Sequence, residues 1–451
     1  MKIPFYNPPN EVQKICGLEH IGVDDVFKII FDMPVGEEEA FQIVETLTDT
    51  DTAVDFFSKN EAKASNAREK IFRRVDRTFI KRGNDPTLQM SFSVLRELYR
   101  MNNAGVPVHA GELYKASYEF SEKAKESLQN LMTKAAKLGI SVTEKEIRGR
   151  TYLFPDEYPD LATMLEEVRK DIKHANMLNI KKLQKYIFED SNGWNRLITH
   201  WDIYGAASGR IQSSDYNSQG LPKEVRTRCI VPQKGYSLVC ADYVSEELVL
   251  IAVLTGDQRL LDDVLDGFDL HKAIAGELFS KDIDTVTAEE RKLVKSVDFP
   301  YLYGAGDCTL TTIIEESGFD ITVSQVKQAI NAILANVKPT IAKIHRQGYV
   351  ELINGTQIML KDIPKKHTAF NRMIQGSGAV ILKEVIADVA RMLPEPAKIC
   401  FLLHDELMVE TPSEYEEVVI NVVTDVMTGI LRRHGYEVDM PIDIIVKKGG
   451  E

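Results

Sequence analysis

The stretch KICFLLHDELMVE, residues 398 to 410, leaves this chain little freedom. Two apolar runs flank His404 and Asp405, and so short a polar interval between apolar runs reads as a strand, a tight turn and a second strand. A turn is where charge can reach water, so Asp405 and Glu406 can be read as nothing more than turn chemistry. A partner elsewhere must decide, and YSLVCADY (236–243) offers one: a buried strand that also ends on a carboxylate, Asp242. Two strand-tip aspartates suit a pair of hard Mg²⁺ ions held about 3.5 to 4 Å apart. A nuclease or a phosphatase would use the same pair.

A third stretch separates these possibilities. ERKLVKSVDFPYLYGAG carries Arg291, Lys295, Phe299 and Tyr303 at four-residue intervals, with Gly304 directly after. Four helical residues advance ~400°, so the four side chains share one slowly drifting face. Two cations followed by two aromatics can clamp a triphosphate and stack a base. The alternative is a solvated helix face on which Arg and Lys happen to recur.

The rest of the chain sets limits. With 451 residues and 44% hydrophobic content it is long enough for about three domains with a sizeable core. The net charge of -13 argues against a protein that coats itself on nucleic acid or anionic membrane. Basic clusters at 67–77, 181–185 and 361–367 offer local phosphate contacts or simply solvated faces. The five cysteines form no C-x-x-C pair, which argues against zinc and against a disulfide framework. Neither an apolar leader nor a membrane-length apolar run is present, so a soluble, cytoplasmic protein is expected, in a bacterial or phage-infected cell. Apolar spacing of three and four between 96 and about 190 predicts two long antiparallel helices, a projecting arm, and a second helical region runs from about 268 to 350. Residues 1–95 carry no catalytic signature.

Taken together, these residues resemble the family A DNA polymerases, whose three polymerase motifs occur here in order as DYVSEEL, RKLVKSVDFPYLYG and HDE. The resemblance covers roughly residues 90 to 451 and extends to SGRIQSSDYNSQGLP, DLHKAIAGELF and NRMIQGSGA. YGAGD after the ladder is most similar to the phage and mitochondrial branch of that family. The resemblance implies an α+β right-hand polymerase fold: a helical thumb (96–200), an antiparallel palm (201–267 and 363–451) and helical fingers (268–362).

It also implies roles. Asp242 and Asp405, with the Tyr243 carbonyl, would ligate two Mg²⁺ ions, Mn²⁺ being an acceptable substitute, and Glu406 would lie beside them without being an obligatory ligand. Lys295 would meet the triphosphate of the incoming deoxynucleotide, with Arg291 and His271 on its outer phosphates. Phe299 and Tyr303 would flank the nascent base pair, and Glu247 would close the pocket against a ribose 2′-hydroxyl. Arg210, Asn217, Gln219, Asn371, Gln375 and His404 fall where relatives contact primer and template. The implied partners are primer-template DNA, deoxynucleoside triphosphates, and replisome proteins or a separate proofreading subunit, since no Asp-x-Glu start of an exonuclease occurs before residue 95.

Some positions depart from the family pattern. Ser245 and Glu246 replace Gln-Ile, Gly220 stands where Asn is common, and His367 where Arg is usual. Pro300 lies inside the ladder, where a proline removes a backbone hydrogen bond, and a bend is expected between Phe299 and Tyr303. Two rivals remain: a single-subunit RNA polymerase, disfavoured by Glu247 and Phe299, and a catalytically dead scaffold, disfavoured by both aspartates and Lys295.

Overall fold

The computed structural model describes residues 85–149, 158–363 and 365–450, with a few isolated positions before 85. The expectations for residues 1–95 therefore fall largely outside the described residues. Helix α1 (Pro86–Ala104) starts on Asp85, whose carboxylate accepts from the Thr87 amide at 3.0 Å, with proline at its first position. Leu88, Phe92, Leu95 and Leu98 make its buried stripe. The boundary expected at 95 thus falls inside a helix, because the apolar period continues across it.

Strand β1 (Val106–Pro107) leads into α2 (Ala110–Lys137), which α3 (Pro159–Met177) accompanies in the opposite direction. Lys134 pairs with Asp160 at 3.2 Å and Lys123 with Asp171 at 3.0 Å, which fixes the antiparallel sense. The distal halves enclose their own cluster, including Leu131, Ile147, Leu161, Leu165 and Val168, separate from the main core. At the base of the arm, β2 (Ile187–Glu189) and β3 (Asn195–Leu197) join β1 in a small antiparallel sheet with β3 central.

After α4 (Lys223–Cys229), strand β4 (Tyr236–Tyr243) enters the core and α5 (Glu246–Thr255) follows directly. Helices α6 (Leu270–Phe279) and α7 (Ala288–Leu302) pack on each other, and helices over 307–317, 323–333 and 337–347 complete this lobe. The long α8 (Ala369–Met392) packs against α1 and α5. Strands β5 (Lys398–Leu403) and β6 (Glu406–Pro412), helix α9 (Glu416–Thr428) and strand β7 (Ile442–Lys448) follow. The central sheet has the order β5-β6-β4-β7, every pair antiparallel. Serine and apolar side chains from Ser237 to Ala241 are all buried, as expected of an inner strand covered by α9.

Helix α7 continues through Pro300 to Leu302 and does not break there. The proline sits in the last turn, so its missing N–H removes one bond near the helix end, and the ladder resumes when the Tyr303 amide donates to the Phe299 carbonyl at 2.9 Å.

Candidate active site

The β5–β6 hairpin closes on two residues, with Leu403 opposite Glu406. His404, the first of the two, takes φ 56°, the left-handed conformation that tight hairpin turns require and non-glycine residues rarely adopt. Strand β6 pairs with β4 from Leu407 opposite Ala241, so the turn bearing Asp405 and the strand end bearing Asp242 lie at the same edge of the sheet. Asp443 of β7 stands directly across from Asp242. Just beyond, Ser245 adopts φ 55° and turns the chain into α5, bringing Glu246 and Glu247 into its first turn.

Negative charge accumulates at this edge. Although the Asp242 side chain reaches solvent, partial removal from water, reinforced by Asp405 and Asp443, pushes its carboxyl up to about 6. Burial raises Asp405, with Glu247 and Glu406 adding to it, and burial with Asp242 raises Glu406. Glu246 is 4% exposed and one of its oxygens, Oε1, lacks a hydrogen-bond partner; burial and Asp405 push it up to about 8. Clustered hard oxygen donors held against their own repulsion are what a divalent cation neutralises, so the residues fit such an ion. Among the described residues no group of three or more His, Cys, Asp or Glu side chains forms a ready cation cage.

Opposite the acids, α6 and α7 build a basic wall. Arg210, Glu247, His271, Arg291, Phe299 and Asp405 are among the residues lining a cleft of about 570 Å³. Arg210 donates to Glu247 at 3.0 Å. Arg291 Nε donates to Asp269 at 2.7 Å, and Asp269 also caps α6 by accepting from the Lys272 amide. His271 Nδ1 lies 2.7 Å from the fully buried Asp298. The Phe299 ring stands edge-on to His271 at 6.4 Å and tilted against Tyr303 at 5.7 Å, so both aromatics of the ladder remain neighbours past Pro300. The Tyr303 hydroxyl is buried beside the Glu247 carboxylate, and burial with that neighbour holds it above the usual tyrosine range.

The remaining sequence-predicted residues divide. Lys295 is exposed on α7, outside the cleft wall, as is Asp242 at its strand end. The Tyr243 phenol points into the core and donates to the Met427 carbonyl. Asn217 caps a short turn by accepting from the Gly220 amide, and Gln219 accepts from the Ser213 amide and donates to the Leu402 carbonyl of β5. Asn371 and Gln375 are half-buried on α8, near its start. His404 lines the cleft, and burial with Arg210 and Arg226 lowers it, favouring the neutral ring. His367 lies against Gly304 so closely that a Cβ there would stand 2.6 Å from its ring, and Gly304 also takes φ +90°, so a glycine is required.

Three residues escaped the sequence reading. Asp269 anchors Arg291, Asp298 anchors His271, and Glu246 lies buried against Gly378 of α8, where an added Cβ would come within 2.9 Å of its carboxylate. Glu246 had a signal, since it breaks the family pattern, and a second acid opening the apolar helix EELVLIAVLT needs an explanation.

Residues 108–451 match the family model described as DNA polymerase family A. Among curated proteins, DNA polymerase I of Pseudomonas aeruginosa is 28% identical over 316 residues, 65% of this chain and 34% of the relative. The thermostable DNA polymerase I of Thermus aquaticus is 29% identical over 273 residues, 56% of this chain and 32% of the relative. The chain thus spans about a third of the length of these relatives. Among solved structures, the POL domain of Pol1 from M. smegmatis, in complex with DNA primer-template and dNTP, superposes with a TM-score of 0.72 at 20% identity, covering 95% of this chain and 82% of that one. The fold is therefore that of a polymerase domain, α+β with an antiparallel palm sheet.

Proposed function

Because the chain belongs to DNA polymerase family A, we propose that it adds deoxynucleotides to a primer 3′-hydroxyl under the direction of a template, releasing pyrophosphate. The observation that carries this is the juxtaposition at one sheet edge of Asp405, in a strained two-residue turn, and Asp242, at the neighbouring strand end. Asp242, Asp405 and the Tyr243 carbonyl would hold two divalent ions, Mg²⁺ or Mn²⁺; when bound, these supply charge neutralisation and activation of the attacking oxygen. Arg291 and His271 bind and orient the outer phosphates, and Lys295, exposed one turn from Arg291 on the same face of α7, meets the same group and can donate a proton to the leaving pyrophosphate. Phe299 and Tyr303 stack against the new base pair, and Glu247, held by Arg210, excludes the 2′-hydroxyl. Arg210, Asn217, Gln219, Asn371, Gln375 and His404 contact primer and template.

The proposal extends to the thumb, palm and fingers at the bounds given above, to primer-template DNA with replisome proteins as partners, and to the cytoplasm as location. Among the described residues no helix is long and apolar enough to cross a membrane. This chain carries no Asp-x-Glu exonuclease start before residue 95, and a mismatched primer should survive incubation with it. A phage- and mitochondrial-like branch rests on Tyr303–Asp307 alone, while the relatives named above are bacterial; a tree built on the palm and finger motifs tests it.

Primer extension with Mg²⁺ tests the activity itself. Asp242→Ala and Asp405→Ala should each abolish extension while sparing primer-template binding, because phosphate contacts elsewhere survive. Substantial synthesis by either variant would defeat the assignment of the pair. A ribonucleotide-only product would favour the RNA polymerase alternative.

A further inference from the structure

We propose that Asp298 is a positioning residue that fixes the tautomer and orientation of His271 and so makes the imidazole a phosphate donor; this rests on the polymerase reading above. The geometry is specific. Asp298 is 0% exposed, and its Oδ1 accepts from the Phe299 amide at 2.7 Å while its Oδ2 lies 2.7 Å from His271 Nδ1. A carboxylate only accepts, so the hydrogen of the second contact sits on Nδ1. That leaves Nε2 as the nitrogen available to the cleft that His271 lines. When an anion occupies the cleft, Nε2 can carry a proton and donate it in a hydrogen bond, and the buried carboxylate balances the charge that results.

The ring is constrained from a second side. Phe299, the residue after Asp298, meets it edge-on at 6.4 Å. His271 also occupies the first turn of α6, directly after the Asp269 cap, where unpaired amides and the helix dipole favour a bound anion. The same arrangement recurs two turns earlier on α7, where Arg291 is held by Asp269 at 2.7 Å. Arg291 and His271 thus each have their own carboxylate, and the two contacts together lock the start of α6 to α7. The two carboxylates differ in setting: Asp269 is 30% exposed and can relax into water, whereas Asp298 has no such escape. Removing its charge therefore acts chiefly through the histidine.

Asp298→Asn, made alone and in a His271→Ala background, tests this. Alone, it should raise the KM for deoxynucleotide about tenfold with a much smaller change in kcat, the scale of one charge-assisted hydrogen bond. It should weaken binding of inorganic tripolyphosphate by a similar factor, measured calorimetrically in EDTA so that neither metal nor turnover enters. On His271→Ala it should add nothing further to either constant. The same tenfold loss appearing in the His271→Ala background would show a general structural role and overturn the proposal, as would an unchanged KM. If the asparagine variant does not fold, ¹⁵N-histidine NMR of the unmodified protein decides: Nδ1–H as the resting neutral form of His271 supports the proposal, and Nε2–H overturns it. Wild-type protein that binds tripolyphosphate through His271 yet extends no primer would instead count against the polymerase reading alone.

Discussion

Glu246 and Glu247 are adjacent and face opposite circumstances. Glu247 lines the cleft and is paired with Arg210 at 3.0 Å, so its carboxylate is positioned rather than loose. If Glu247 is the proposed gate, truncating it to alanine should raise the ratio of kcat/KM for ribo- against deoxynucleotides about tenfold or more, on the order of what one steric contact supplies. An unchanged ratio in single-nucleotide incorporation would move the gate to Tyr303. Glu246 has no such partner and is buried. Its carboxyl is raised from 4.5 to about 8, so between those values the unfolded chain releases a proton that the folded chain retains, and stability falls as pH rises through that window. Glu246→Leu removes the penalty. Its advantage over the parent, measured by chemical denaturation, should be small at pH 5 and grow to a few kcal/mol at pH 8.5. An equal difference at both values would mean that Glu246 is neutralised by a neighbour instead.

At the scale of elements, the legible parts of this chain were those with a period. The hairpin and β4 announce themselves as apolar runs ending on acids, and α7 as a four-residue ladder, and all three form where the sequence puts them. Asp298 sits inside that ladder but off its face, and its importance depends on α6, a contact 27 residues away that no local pattern encodes. The start of α1 before residue 95 was obscured because an amphipathic stripe shows where a helix packs only once its neighbour α8 is known. Pro300 was placed inside the ladder by its spacing, whereas the helix end at Leu302 puts it in the last turn, where a missing N–H costs less. Its placement sharpens a test: with α7 intact, the Phe299 ring stays on the cleft wall beside His271. A phenolic oxygen there can replace the polar contact that a dideoxynucleotide lacks, so Phe299→Tyr should improve dideoxynucleotide use roughly tenfold to a hundredfold. Unaltered discrimination in a chain-termination assay, with normal extension, would reject this orientation of the ring.

Among the described residues two separate hydrophobic clusters form, and this predicts how the molecule comes apart. The main core runs through palm and fingers into the base of the arm, while the far halves of α2 and α3 depend on the small cluster around Leu131, Leu161 and Leu165. Within the main core, a buried ion network ties the small sheet at the base of the arm to the central sheet: Arg196 of β3 donates to both oxygens of Glu410 on β6 at 2.9 and 2.7 Å and to Asp190 at 2.9 Å, with Lys398 3.3 Å from Glu410. Glu410 is 0% and Arg196 2% exposed, so neither charge can turn to water if the other is lost. Glu410→Gln should therefore cost about 3 kcal/mol of global stability, the low end for a broken buried pair, because Asp190 still accepts from the guanidinium at 2.9 Å. Leu165→Ala should cost about 2 to 5 kcal/mol, but only where its cluster reaches. Hydrogen exchange read by mass spectrometry distinguishes the two. The leucine variant should lose protection across 124–140 and 158–175 while β4, β5 and β6 keep theirs, whereas the glutamine variant should speed exchange in the central strands as well. Equal loss in the central sheet from both substitutions would mean that the arm and palm unfold as one unit, with the Arg196–Glu410 contact acting as a rigid joint between them.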